Sequence, residues 1–218
     1  MKRLVRKHRL AIRWFHWINF PLLAIMIWSG TLIYWANAVY RIGIGRFTLL
    51  KMTFPQPVWN ALHVSYRLAE GMSIHFFFMW LFGINGLAYV IYTIVSGEWR
   101  DLVPDRKSLK EAWLVFLHDL HLRKEAPPQA KYNAAQKISY TLIVVMGAFS
   151  LLTGLAIYKP VSLGWLRWLF GGYKTARFFH FWLTVGYVAF FVVHIAQVIR
   201  AGWNNFRAMV IGVEVTND

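Results

Sequence analysis

Four apolar stretches, each long enough to cross about 30 Å of hydrocarbon as a helix of roughly 20 residues, constrain this chain more than any other feature. They run approximately Trp14–Trp35, Ile74–Val95, Ile138–Tyr158 and Phe178–Ile199. Backbone groups in lipid find no water to bond, so continuous spans of this kind read as helices. The expected fold class is all-α and integral to a membrane, a bundle of four transmembrane helices forming one domain over residues 1–218. Composition agrees, since 58% hydrophobic residues and a mean hydropathy of +0.42 exceed what a soluble chain of 218 residues can cover. The basic arm MKRLVRKHR precedes the first stretch, but that apolar run is too long for a signal peptide and is expected to remain as a helix. No internal repeat is evident.

The net charge of +15 does not point to nucleic acid, because the basic residues flank apolar runs. With four spans both termini share one side. The segments on that side hold 16 of the Lys and Arg residues against 8 in the opposite loops, which places the termini in the cytoplasm. Three loop segments carry structure of their own. Pro55 and Pro57 precede a short helix in the 36–73 loop, LGWLRWLFGGYK lies in the outer interface, and SLKEAWLVFLHDLHL forms a surface helix. The absence of cysteine excludes disulfides, thiolate metal sites, iron–sulfur clusters and covalently attached c-type haem on this chain.

The histidines carry the chemistry. An imidazole in hydrocarbon is costly unless something engages its nitrogens, and it reads as functional by default. His16, His75, His180 and His194 fall within or beside the spans. Helix direction sets their depths: His75 and His180 lie near the outer face, His16 and His194 near the cytoplasmic one. His180 and His194 share a helix, about 21 Å apart along its axis at 1.5 Å per residue, and on a similar face. Two histidine pairs at two depths, His75 with His180 and His16 with His194, are what two bis-histidine haems require. Isolated membrane histidines that merely bridge helices are the alternative. Gly30, Gly83, Gly86, Gly154 and Gly186 offer room for a macrocycle or simply for close helix packing. None of the nine acidic residues lies in a span, which argues against an ion-coupled transporter. Arg13, Arg177 and Arg200 near the span ends read as interfacial anchors, with haem-propionate pairing the alternative, best for Arg177 and Arg13. His8, His63, His118 and His121 read as solvated, with a metal site at His118 and His121 as the alternative for that pair.

RWFHWINF at Arg13–Phe20, IHFFFMWLFGINGLAYVIYTIVSGEWR at Ile74–Arg100 and KYNAAQK at Lys131–Lys137 lead to a family, with TGLAIYKP at Thr153–Pro160 and the two histidines of the last span. On these motifs the chain resembles the di-haem cytochrome b subunits of respiratory oxidoreductases. Similar proteins include the gamma subunit of formate dehydrogenase and, closer, the thiosulfate reductase cytochrome b subunits. The resemblance implies two haem b groups with His16, His75, His180 and His194 as iron ligands. It also implies a site for menaquinone or ubiquinone at Asn133 and Gln136, on the cytoplasmic side near His194. By their chemistry alone, those two residues read first as a helix cap.

The expected function is electron transfer across a bacterial or archaeal cytoplasmic membrane, between a partner oxidoreductase on the outer face and the quinone pool. The catalytic subunit would be another chain, by analogy a periplasmic molybdenum enzyme, with or without an intervening iron–sulfur subunit. The alternatives are the cytochrome b subunit of a nickel–iron hydrogenase and a non-redox membrane anchor.

Overall fold

A computed structural model of the chain describes residues 2–35, 40–44, 47–52, 55–119, 121–125 and 132–217. Lys131, the first residue of KYNAAQK, and parts of the 36–73 loop lie outside the described residues. In chain order the elements are β1 (Lys2–Arg6), α1 (Leu10–Tyr34), β2 (Tyr40–Ile44), β3 (Phe47–Met52), α2 (Gln56–Ala61) and α3 (Leu68–Ser96). There follow α4 (Trp99–Leu102), α5 (Ser108–Asp119), α6 (Ala134–Tyr158), α7 (Gly164–Leu169), α8 (Tyr173–Ile211) and β4 (Val213–Asn217).

The fold is mostly helical, and α1, α3, α6 and α8 are long and apolar enough to cross a membrane. They contain 25, 29, 25 and 39 residues, longer than the apolar runs that predict them. Hydropathy marks only the length that needs hydrocarbon. A helix continues until a cap or a glycine stops it: α6 begins at the Asn133 cap and α8 ends at Gly212. The short helices expected after Pro55 and in SLKEAWLVFLHDLHL appear as α2 and α5, and LGWLRWLFGGYK, expected only as an interfacial segment, contains α7.

Two compact units make up the chain, Met1–Phe15 with Gly86–Asp218, and His16–Asn85. Within His16–Asn85, α1 and α3 approach to backbone contact at Gly71. A Cβ there would lie 2.6 Å from Leu32 Cβ and 3.1 Å from the Ser29 carbonyl oxygen, so only glycine fits. Arg67 pins the start of α3, donating to both Glu70 carboxylate oxygens at 2.8 and 2.5 Å and lying over the Trp28 ring. Trp59 of α2 packs on Tyr34 at the end of α1, and both are buried.

In the other unit α6 packs along α8. The α7 helix closes one end of that pair through a buried cluster of Ala156, Leu166 and Ala176, extended by Leu163 and Phe170. At the opposite end the N-terminal arm and the C-terminal tail pair as antiparallel strands, with Arg6 opposite Val213 and Lys2 opposite Asn217. At 39 residues α8 is about 58 Å long, well beyond the hydrocarbon thickness. Gly202, at φ 79°, breaks its direction there. Beyond the break Asn204 clasps β4, accepting from the Val215 amide at 3.0 Å and donating to its carbonyl at 2.9 Å. Neither this two-stranded sheet nor the β2–β3 hairpin was expected, because strands of five or six residues carry little periodic signal.

Candidate functional site

Two of the four span histidines sit in seats of the same design. Ser29 Oγ lies 2.7 Å from the Ile25 carbonyl oxygen, one turn earlier on α1, and 2.9 Å from His75 Nδ1. Thr153 Oγ1 lies 2.7 Å from the Phe149 carbonyl oxygen on α6 and 3.0 Å from His180 Nδ1. A hydroxyl owns one hydrogen. At 2.7 Å from a carbonyl oxygen that hydrogen must point at the carbonyl, so each hydroxyl accepts from its imidazole. The ring hydrogen therefore resides on Nδ1, and Nε2 carries the lone pair. Ser29 and Thr153 are 0% exposed, so no water competes for these bonds. An imidazole with Nδ1–H committed and its lone pair on Nε2 is the form that binds iron, and this donor set fits a haem.

A glycine follows each hydroxyl and lies under the ring edge. The position of a Cβ would be 3.6 Å from His75 Cε1 at Gly30 and 3.2 Å from His180 Cε1 at Gly154. Gly154 thus makes room for an imidazole, whereas at Gly30 a Cβ would meet the ring at an ordinary contact distance. Gly186 faces the Met146 methyl instead, where a Cβ would lie 2.8 Å away, and serves packing of α6 on α8.

The local sequence around the two seats repeats. Ser29–Tyr34 reads SGTLIY and Thr153–Tyr158 reads TGLAIY, a shared hydroxyl–Gly–x–x–Ile–Tyr. Each hydroxyl lies five residues before the end of a 25-residue helix. Each histidine lies seven residues into the next long one. Neither this repeat nor a role for Ser29 and Thr153 follows from the spans and the histidines alone. This hexapeptide is the signal that identifies them.

His194 has different surroundings. It stacks on Phe190, with ring centroids 5.7 Å apart and an interplanar angle of 9°. It lines a cavity of about 1480 Å³ that Asn133, Gln136 and Tyr140 also border. Asn133 and Gln136 form the N-terminal capping box of α6. Asn133 Oδ1 accepts from the Gln136 amide at 2.9 Å, and Gln136 Oε1 accepts from the Asn133 amide at 3.0 Å. The cap uses both side-chain oxygens and leaves each amide NH₂ as a donor.

Three ion pairs stand on the cavity walls: Lys7–Glu214 and Arg9–Glu98, each at 2.9 Å, and Arg200–Asp119, to which Gln197 adds a bond at 3.2 Å. Each joins two segments remote in sequence. Beside the cavity region, burial pushes the Tyr132 phenol well above the ordinary tyrosine range, with the nearby Tyr140 and Glu98 adding to it. The hydroxyl and the amide of Ser108, with the Lys107 amide, hold the Asp105 carboxyl below the usual carboxylate range at the start of α5.

His16 lies on α1 with Trp17 edge-on at 5.2 Å. The three arginines near span ends have specific partners. Arg13 donates to the Val210 carbonyl at 2.6 Å, Arg177 lies over the Tyr173 ring, and Arg200 pairs with Asp119. His118 and His121 gather no metal site, and among the described residues no cluster of three or more His, Asp or Glu side chains could hold a metal ion.

Residues 7–212 match the model of the family described as prokaryotic cytochrome b561. A relative in Azospira oryzae, YedZ1, carries the name of a protein-methionine-sulfoxide reductase subunit. It is 30% identical over 198 residues, which cover 90% of this chain and 92% of the relative. The cytochrome b resemblance read from the motifs is borne out at the level of the family. The chain belongs to the prokaryotic cytochrome b561 family and is a four-span membrane cytochrome b, a haem-binding electron-transfer subunit.

Proposed function

We propose that this cytochrome carries electrons between a partner oxidoreductase on the outer face of the membrane and the quinone pool on the cytoplasmic side, with both termini cytoplasmic. His75 with His180, and His16 with His194, would hold two haem b groups, whose iron supplies one-electron exchange. The pairing rests on the helix directions and on the fourteen-residue spacing in α8. The Nδ1–H tautomer at His75 and His180 supports their part in it.

The observation that carries the quinone assignment is that His194, Asn133 and Gln136 border one cavity. Their amide NH₂ groups can donate to the carbonyl oxygens of a menaquinone or ubiquinone. Quinone reduction also takes up protons, and the ionisable groups on the walls connect the cavity to the aqueous side. Electrons could run either way through the same parts. The partner would hold the catalytic centre, in the general case a molybdenum enzyme with or without an iron–sulfur subunit. The likeness to YedZ1 favours a protein-methionine-sulfoxide reductase in that role.

The test separates donor from cap. Asn133→Ser with Gln136→Glu preserves a capping box while deleting both amide donors. Haem content should be unchanged, and quinol-driven haem reduction should fall on the order of tenfold, as for loss of a positioned hydrogen-bond donor. An unchanged rate with haem intact would remove Asn133 and Gln136 from the quinone site.

A further inference from the structure

We propose that Ser29 and Thr153 are positioning residues that lock His75 and His180 into the haem-binding tautomer and hold down the reduction potential of the haem they ligate. This rests on the proposed ligation by those two histidines. The geometry behind it is built twice, in separate units of the molecule, from the same hydroxyl–glycine pair at the same place in a 25-residue helix.

Each hydroxyl is an obligate acceptor. Its hydrogen is committed to a carbonyl one turn earlier, at 2.7 Å in both seats, and burial keeps water from offering an alternative. The imidazole thus has one orientation in which Nδ1–H is satisfied, and Nε2 is turned to the opposite side of the ring. A hydrogen bond from Nδ1–H gives the ring partial imidazolate character, raises its basicity and favours the ferric ion. In a low-dielectric surrounding little screens that effect. Gly154, after Thr153, lets the His180 ring edge approach the helix backbone, which shortens the distance the hydroxyl must cover.

The experiment is an optical redox titration of the purified, haem-loaded cytochrome, with low-temperature EPR of the ferric form. Ser29→Ala and Thr153→Val should each raise one midpoint potential and leave the other unmoved. The effect expected is on the order of tenfold toward the reduced form, which is about 59 mV for one electron. The low-spin g-values of the same haem should change as its ligand ring gains freedom to rotate. Ser29→Thr and Thr153→Ser keep the hydroxyl and should restore both readouts. If Ala and Val abolish binding of that haem while Thr and Ser retain it, the locking role stands.

Unmoved potentials and g-values in Ala and Val variants that keep their haem would overturn the proposal. So would Thr and Ser variants that behave like Ala and Val. His75→Ala and His180→Ala separate the two layers of the argument. If both keep full haem content, the ligation reading itself fails. If they lose one haem while the hydroxyl variants shift nothing, ligation stands and only the positioning role is lost.

Discussion

His180 and His194 occupy one helix, fourteen residues apart, yet their surroundings have little in common. His180 is fastened by Thr153 and fitted against Gly154, so its ring has one tautomer and one place. His194 is stacked on Phe190 and borders a wide cavity walled by ion pairs. A site that only binds and orients a cofactor gains from a tight, dry seat. A site that also exchanges a ligand and protons with water needs space and polar groups. One helix thus sets two histidines in two different environments, which suits the different tasks proposed for them.

The broadest way to break this contrast is to remove the two proposed ligands. His180→Ala and His194→Ala should each cost one b-type haem, and difference spectra of the purified variants should lose different components. Loss of the same component in both would show that the two ends are not independent.

Glycine substitutions sharpen the fit at the seats. Gly154→Ala would set a methyl 3.2 Å from His180 Cε1, so the ring must yield by a few tenths of an ångström. Its EPR g-values should move. The equivalent distance at Gly30 is an ordinary contact of 3.6 Å. Gly30→Ala should therefore leave the spectrum alone and raise thermal stability by up to about 1 kcal/mol, the helix propensity difference. The opposite order of effects would contradict the seat geometry.

At the cavity end, Asn133→Ala removes the cap of α6 and should destabilise the protein by about 1 kcal/mol in thermal unfolding, without loss of haem. Asn133→Ser should recover most of that.

The smallest effect concerns Asp105, outside the spans. Its carboxyl is depressed in the folded state, so its stabilisation is present above the ordinary carboxylate pKa and lost as pH falls through the folded value. Below about pH 4 the Lys107 and Ser108 amides, which donate to Asp105, should lose hydrogen-exchange protection. Asp105→Asn should abolish that pH dependence.

Much of the architecture is legible in the chain itself. Hydropathy over a window of about twenty residues is a local property, and it locates all four membrane helices. Capping chemistry is equally local: Asn133 and Gln136, three residues apart, form the box their types favour. The surface helix at Ser108–Asp119 follows from its own periodicity. The extension of α8 to Ile211 does not, because its last turns are held by Asn204 against β4 and by pairing of β4 with β1, contacts between the two ends of the chain.

The histidine types and their spacing were enough to suggest haem and to single out four candidate ligands. They could not reveal what holds each ring. Ser29 reaches His75 across 46 positions and Thr153 reaches His180 across 27, and a serine or threonine in an apolar helix ordinarily bonds its own backbone. Here it does so and accepts from an imidazole as well, because α1 meets α3 and α6 meets α8 at the height where hydroxyl and ring coincide. Span and ligand chemistry are written in short windows of residues. Tautomer, seat and cavity depend on which helix packs beside which, and that exists only once the chain has folded.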